Sequence, residues 1–152
     1  TDTVSKMKSV VGIVHSGYKG MVLNIAPNTV NEMKEKKKVE EKTLEAVIGP
    51  GICGEHYEFE KKKAYELFSE YPDQIKEIER SDKCWLDLPG IIKIQLIKVG
   101  VLPERITISS YCTWSDNAFL FSARRENMNP GNPENPVRAS MALIGIRDNL
   151  AA

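Results

Sequence analysis

Val10-Val11-Gly12-Ile13-Val14-His15-Ser16-Gly17-Tyr18-Lys19-Gly20 is the stretch on which the reading of this chain turns. An apolar, β-branched run predicts a buried strand. Here it stops on a histidine, followed by two glycines around an aromatic and a lysine. A strand ending this way delivers an imidazole to a sheet edge, and the glycine turn lets a ligand approach the backbone. The chain has only two histidines, His15 and His56. His15 is placed like a working residue, although a single histidine at a strand end also reads as a structural one.

Working outward, Val22, Ile25, Val30 and Met33 have a loose helical spacing over residues 21–38, with Pro27 near a helix start or kink. The run Lys34-Glu35-Lys36-Lys37-Lys38 interleaves acids with lysines, which suits a solvated helix end better than a nucleic-acid patch. Residues 43–48 are expected as a strand closed by Gly49-Pro50-Gly51, and Tyr57-Glu58-Phe59 as a short extended piece. Residues 60–71 read as an amphipathic helix with Ala64, Leu67 and Phe68 inward. Trp85-Leu86-Asp87-Leu88 leads into a further helix, with Asp87 as its N-terminal cap and Pro89 in its first turn. Ile91, Ile94, Gln95, Ile97 and Lys98 continue it to a C-terminal cap at Gly100. A strand over 106–110, a proline- and asparagine-rich loop over 127–136 and a last apolar strand over 137–146 complete the chain. The expected fold class is α+β, with short strands and three helices. The strand over 9–14 looks central but has few candidate neighbours, so either the sheet is small or another polypeptide completes it.

Composition narrows the function classes. A chain of 152 residues is about one domain, taken as 1–152, with 41% hydrophobic and 28% charged residues, as in a soluble globular protein. Its 21 basic and 21 acidic residues leave no global charge to draw it to nucleic acid or membrane. Cys53, Cys84 and Cys112 are an odd count with no CxxC pair, which suits reduced thiols in the cytoplasm. No apolar run approaches the roughly 20 residues of a membrane span, and residues 1–6 do not resemble a signal peptide.

Several segments, in order, resemble one family. His15-Ser16-Gly17-Tyr18-Lys19-Gly20 is similar to its His-(Ala/Ser)-Gly-(Trp/Tyr)-(Arg/Lys)-Gly signature. Ile48-Gly49-Pro50-Gly51-Ile52 with Tyr57-Glu58-Phe59 resembles its Gly-Pro-x-Ile…Tyr-Glu-Val segment, and Leu86-Asp87-Leu88 opens the same helix. Cys112-Thr113 with Phe121-Ser122-Ala123-Arg124-Arg125 resembles its Cys-Thr…Arg-Arg pattern, and Arg138 with the apolar run after it matches the closing segment. This is the YfiH-like or laccase-domain family, long labelled multicopper polyphenol oxidoreductase.

The resemblance implies a layered α/β sandwich with mixed sheets. It also implies zinc-dependent phosphorolysis of purine nucleosides, adenosine or inosine plus phosphate giving purine base and ribose 1-phosphate, with adenosine deamination alongside. One bacterial branch is linked to peptidoglycan precursor editing. His15 is then a zinc ligand, Arg125 a catalytic phosphate-binding residue, Cys112 a residue of the catalytic site, and Lys19 and Tyr57 substrate-binding residues. Arg124 is expected as a structural ion-pair partner. A guanidinium suits phosphate because its donors match the oxygens bidentately. Lys19 could equally supply a point charge or point to solvent.

Family members carry a longer N-terminal part, whose Gln-Val-His and Ala-Asp-Cys segments supply two further zinc ligands. The present residues resemble the portion after it, so a second polypeptide supplying those ligands is one expectation. A non-catalytic subunit that keeps the fold is the alternative. Copper-dependent phenol oxidation ranks lower, because such sites take several His and Cys ligands and this chain has two histidines. Cys53, His56 and Cys112 could substitute as ligands, but His56 falls where the family varies and is given no ligand role.

Overall fold

A computed structural model describes residues 10–125 and Ile144. The loop expected over 127–136, and all of the strand expected over 137–146 except Ile144, lie outside the described residues. The helices are α1 (Tyr18–Val22), α2 (Ile25–Lys37), α3 (Lys61–Phe68) and α4 (Leu88–Lys98), and the strands are β1 (Ala46–Ile48), β2 (Glu58–Glu60), β3 (Ile75–Glu77), β4 (Lys83–Leu86) and β5 (Ile106–Ile108). Strands β1 and β5 pair in parallel, Ala46 opposite Ile106 and Ile48 opposite Ile108. Strands β2, β4 and β3 form an antiparallel sheet in that order. The fold is mixed α/β, as the sequence leads one to expect.

Helix α4 joins two cores. Its Leu88 and Ile91 pack with Phe59, Phe68 and Leu86 over the antiparallel sheet, while Leu96 packs with Ala26, Val30, Val101 and Ile106 beside the parallel pair. Its ends follow local chemistry. Asp87 Oδ1 accepts from the Gly90 backbone N–H at 3.1 Å, and Pro89 lies in the first turn, where no intrahelical donor is lost. Gly100 takes φ +107°, a left-handed conformation that a residue without Cβ adopts freely, and the Val101 N–H returns to the Leu96 carbonyl at 3.0 Å. The buried Gln95 amide donates to the Met21 carbonyl at 2.9 Å and to Asn24 Oδ1 at 3.2 Å. That fastens α4 to the break between α1 and α2.

Two expectations are corrected. The single helix over 21–38 is two, interrupted at Leu23–Asn24, where Asn24 has φ 52°. The expected central strand does not form: residues 10–17 pair with no strand among the described residues, and Val11, Ile13 and Val14 are 44, 57 and 37% exposed. β-branched residues favour a strand only when a neighbouring strand and a packed face are present. Strands β3 and β4 were not anticipated, although Cys84 and Leu86 are buried on one face of β4 in the two-residue period of a strand.

Candidate functional site

Because β1 and β5 run parallel, their carboxyl ends lie side by side, the place where open α/β sheets hold ligands. Pairing continues past the strands. The Ser109 N–H donates to the Ile48 carbonyl, the Thr113 N–H donates to the Gly51 carbonyl, both at 2.9 Å, and Gly51 bridges Cys112 in parallel. This register sets Cys112 beside Cys53. A single turn then folds back, the Cys53 carbonyl accepting from the N–H groups of His56 at 3.0 Å and Tyr57 at 3.1 Å. The turn brings the His56 Nδ1 within reach of both thiols.

Cys53 Sγ lies 3.0 Å from His56 Nδ1, and Cys112 Sγ lies 3.6 Å from the same nitrogen. The Cys53 N–H donates to Cys112 Sγ at 3.3 Å. The Cys112 N–H donates to Asp116 Oδ2 at 2.6 Å, which holds the second thiol in place. The His56 ring stacks on Trp114, centroids 6.1 Å apart. Burial opposes ionisation of the Cys112 thiol, but hydrogen bonds from the backbone at Cys53, Ser115 and Trp114 and from the Cys53 side chain outweigh it, bringing its pKa down to about 6. Burial, and then the hydrogen bond to Cys112, push Cys53 the other way, so the two sulfurs hold one readily lost proton as a pair. All three cysteines are free thiols.

Both thiols line a cleft of about 430 Å³ bounded also by Gly54, Lys76, Trp85, Asp87 and Tyr111. Of the site residues expected from the sequence, Cys112 is in this cleft; His15, Lys19, Tyr57 and Arg125 do not line it. His15 is exposed on the irregular segment before α1, and Lys19 is exposed on α1. Tyr57 is buried beneath Arg124, whose guanidinium lies 4.7 Å from the ring centroid and donates to the Glu58 carbonyl at 2.9 Å. Burial raises the Tyr57 phenol above its ordinary pKa, with Arg124 pulling it back. Arg125 binds the carbonyls of Thr113, Trp114 and Leu120 at 2.6, 2.8 and 2.9 Å, bracing the loop that carries Trp114 and Asp116.

The zinc that the resemblance implies would take His15 with two donors that are not among these residues. Among the described residues the group of three donors close enough to share an ion is Cys53, His56 and Cys112, and it leaves His15 out. The residues present therefore do not assemble the implied zinc site. They bring together a different set of donors that could share an ion, Cys53, His56 and Cys112, whose His56 the sequence leaves without a ligand role.

Residues 3–135 match the family described as multi-copper polyphenol oxidoreductase laccase. The chain is similar to purine nucleoside phosphorylase YlmD of Bacillus subtilis (strain 168), 28% identical over 93% of this chain and 49% of that one. It is similar to a Deinococcus radiodurans purine nucleoside phosphorylase, 33% identical over 77% of this chain and 44% of the relative. It is also similar to adenosine deaminase RL5 from an unknown prokaryotic organism, 27% identical over 84% of this chain and 50% of the relative. The chain thus spans about half the length of these relatives. Among solved structures, Bacillus licheniformis protein YfiH superposes with a TM-score of 0.67 at 26% identity, covering 74% of this chain and 43% of that one. YlmD from Geobacillus stearothermophilus gives 0.66 at the same identity and coverage. With both the ordered motifs and the fold in agreement, the chain belongs to the multi-copper polyphenol oxidoreductase laccase family.

Proposed function

We propose that the protein to which these residues contribute is a cytoplasmic purine nucleoside phosphorylase, with adenosine deamination as a companion activity. The observation that carries this is the run of relatives named purine nucleoside phosphorylase, matched along most of this chain. In phosphorolysis a phosphate oxygen bonds to the anomeric carbon while the carbon–nitrogen bond to the purine breaks. The electron pair leaves on the base, which takes up a proton. Phosphate must be held close and the ribosyl centre kept from water. Lys19 and Arg125 are assigned to phosphate and Tyr57 to the nucleoside pocket, with Cys112 near the reacting groups. His15 is assigned to zinc, together with donors outside residues 1–152, on the same or a second polypeptide. Zinc, when bound, supplies a Lewis acid.

The experiment is base release from inosine and adenosine by the full-length protein, with and without phosphate. Phosphate-dependent release is expected. His15→Ala should lower it at least as much as loss of a group that merely orients a metal ligand, about 10–100-fold. No release by the wild type, or full release by the variant, overturns the assignment.

Arg125 has its own check. Lysine keeps the charge but not the bidentate fork, so Arg125→Lys should raise the phosphate KM and leave the inosine KM in place. Unchanged phosphate kinetics would leave Arg125 only its bracing of the Thr113–Leu120 loop.

A further inference from the structure

We infer that Cys53, His56 and Cys112 form a zinc site of their own, distinct from any site that uses His15, with one coordination position open to the cleft at the β1 and β5 ends. The geometry supports it directly. Tetrahedral zinc bonds sulfur at about 2.3 Å and nitrogen at about 2.0–2.1 Å, which sets the two donors about 3.6 Å apart. Cys112 Sγ and His56 Nδ1 are 3.6 Å apart, Cys53 Sγ and Nδ1 are 3.0 Å apart, and all three donor atoms lie within 4.8 Å of one another. Cys112 Sγ already stands at the spacing an ion sets, and Cys53 Sγ must move out from Nδ1 by about 0.6 Å, which rotation of its side chain supplies.

The surroundings suit a metal as well. His56 follows Cys53 by three residues in one closed turn, so both donors come from a single backbone loop. The Cys53 N–H donates to Cys112 Sγ, and Asp116 holds the Cys112 backbone. Such outer contacts orient ligands and raise metal affinity. Two sulfurs and an imidazole favour a soft or borderline ion over magnesium or calcium, which take oxygen ligands. Two thiolates also neutralise the two charges of Zn²⁺. Three protein ligands leave the fourth position for water or a substrate atom entering from the 430 Å³ cleft. Nothing here depends on the phosphorylase assignment.

The test follows the thiols of the full-length, reduced protein residue by residue. Chelator-stripped protein is alkylated with iodoacetamide, with and without added Zn²⁺, and labelling of Cys53 and Cys112 is read from their separate peptides. Zinc should slow labelling at both positions together by about tenfold or more, and should do so equally in His15→Ala. His56→Phe, which keeps a ring against Trp114 and removes the nitrogen, should abolish that protection. Labelling rates that ignore zinc in the wild type overturn the site even if the variant fails to fold. So does protection that disappears in His15→Ala, since the ion would then sit elsewhere. Base release is measured on the same samples, so a protein inactive as a phosphorylase but protected at both thiols retains this site.

Discussion

Gly54 has no room for a side chain: a Cβ there would stand 2.8 Å from the Asp87 Cβ and 3.1 Å from its Cα. Gly54→Ala must push the Cys53–His56 turn away from the start of α4, at about 1–3 kcal/mol for an overpacked contact. A fall in denaturation midpoint is expected, together with weaker zinc protection of Cys53. Gly49 and Gly51 have nothing within 4 Å of an added Cβ, so alanine there should stay within about 0.5 kcal/mol of the parent. Equal effects at Gly54 and Gly51 would mean that the turn is not wedged against α4. The Asp87 cap was legible because it depends on a residue three positions away. The roles of Gly54 and His56 were not. One depends on a helix start far along the chain and the other on the register of β1 against β5, and neither leaves a local pattern.

At the scale of elements, α4 was read almost to its ends, because Asp87, Pro89 and Gly100 mark a cap, a first turn and a stop within one continuous segment. Asp87→Ala should cost about 0.5–2 kcal/mol by leaving the Gly90 N–H without its acceptor. Chemical denaturation of the full-length protein checks it, and an unchanged midpoint would mean that the cap contributes nothing. The strands were harder to read. β1, β3 and β5 have three residues each, too few to show an alternation, and their pairing is set by partners distant in sequence. The motif around Cys112 carried more information than strand periodicity could.

At the scale of the molecule, the apolar segment before His15 and the outer face of β1 stand uncovered among the described residues: Ile13 is 57% and Val47 75% exposed. Relatives are about twice as long as this chain, and we propose that segments outside residues 1–152 cover both patches. In the full-length protein the amides of residues 10–14 should then resist hydrogen exchange; exchange at the rate of an unstructured peptide would show that this run stays unpaired. The chemistry is tested most directly by phosphorus NMR of the full-length protein incubated with inosine and inorganic phosphate. The expected result is ribose 1-phosphate appearing in step with hypoxanthine, one for one, as phosphate is consumed. Free ribose with unchanged phosphate, or no base released, would contradict the phosphorylase assignment.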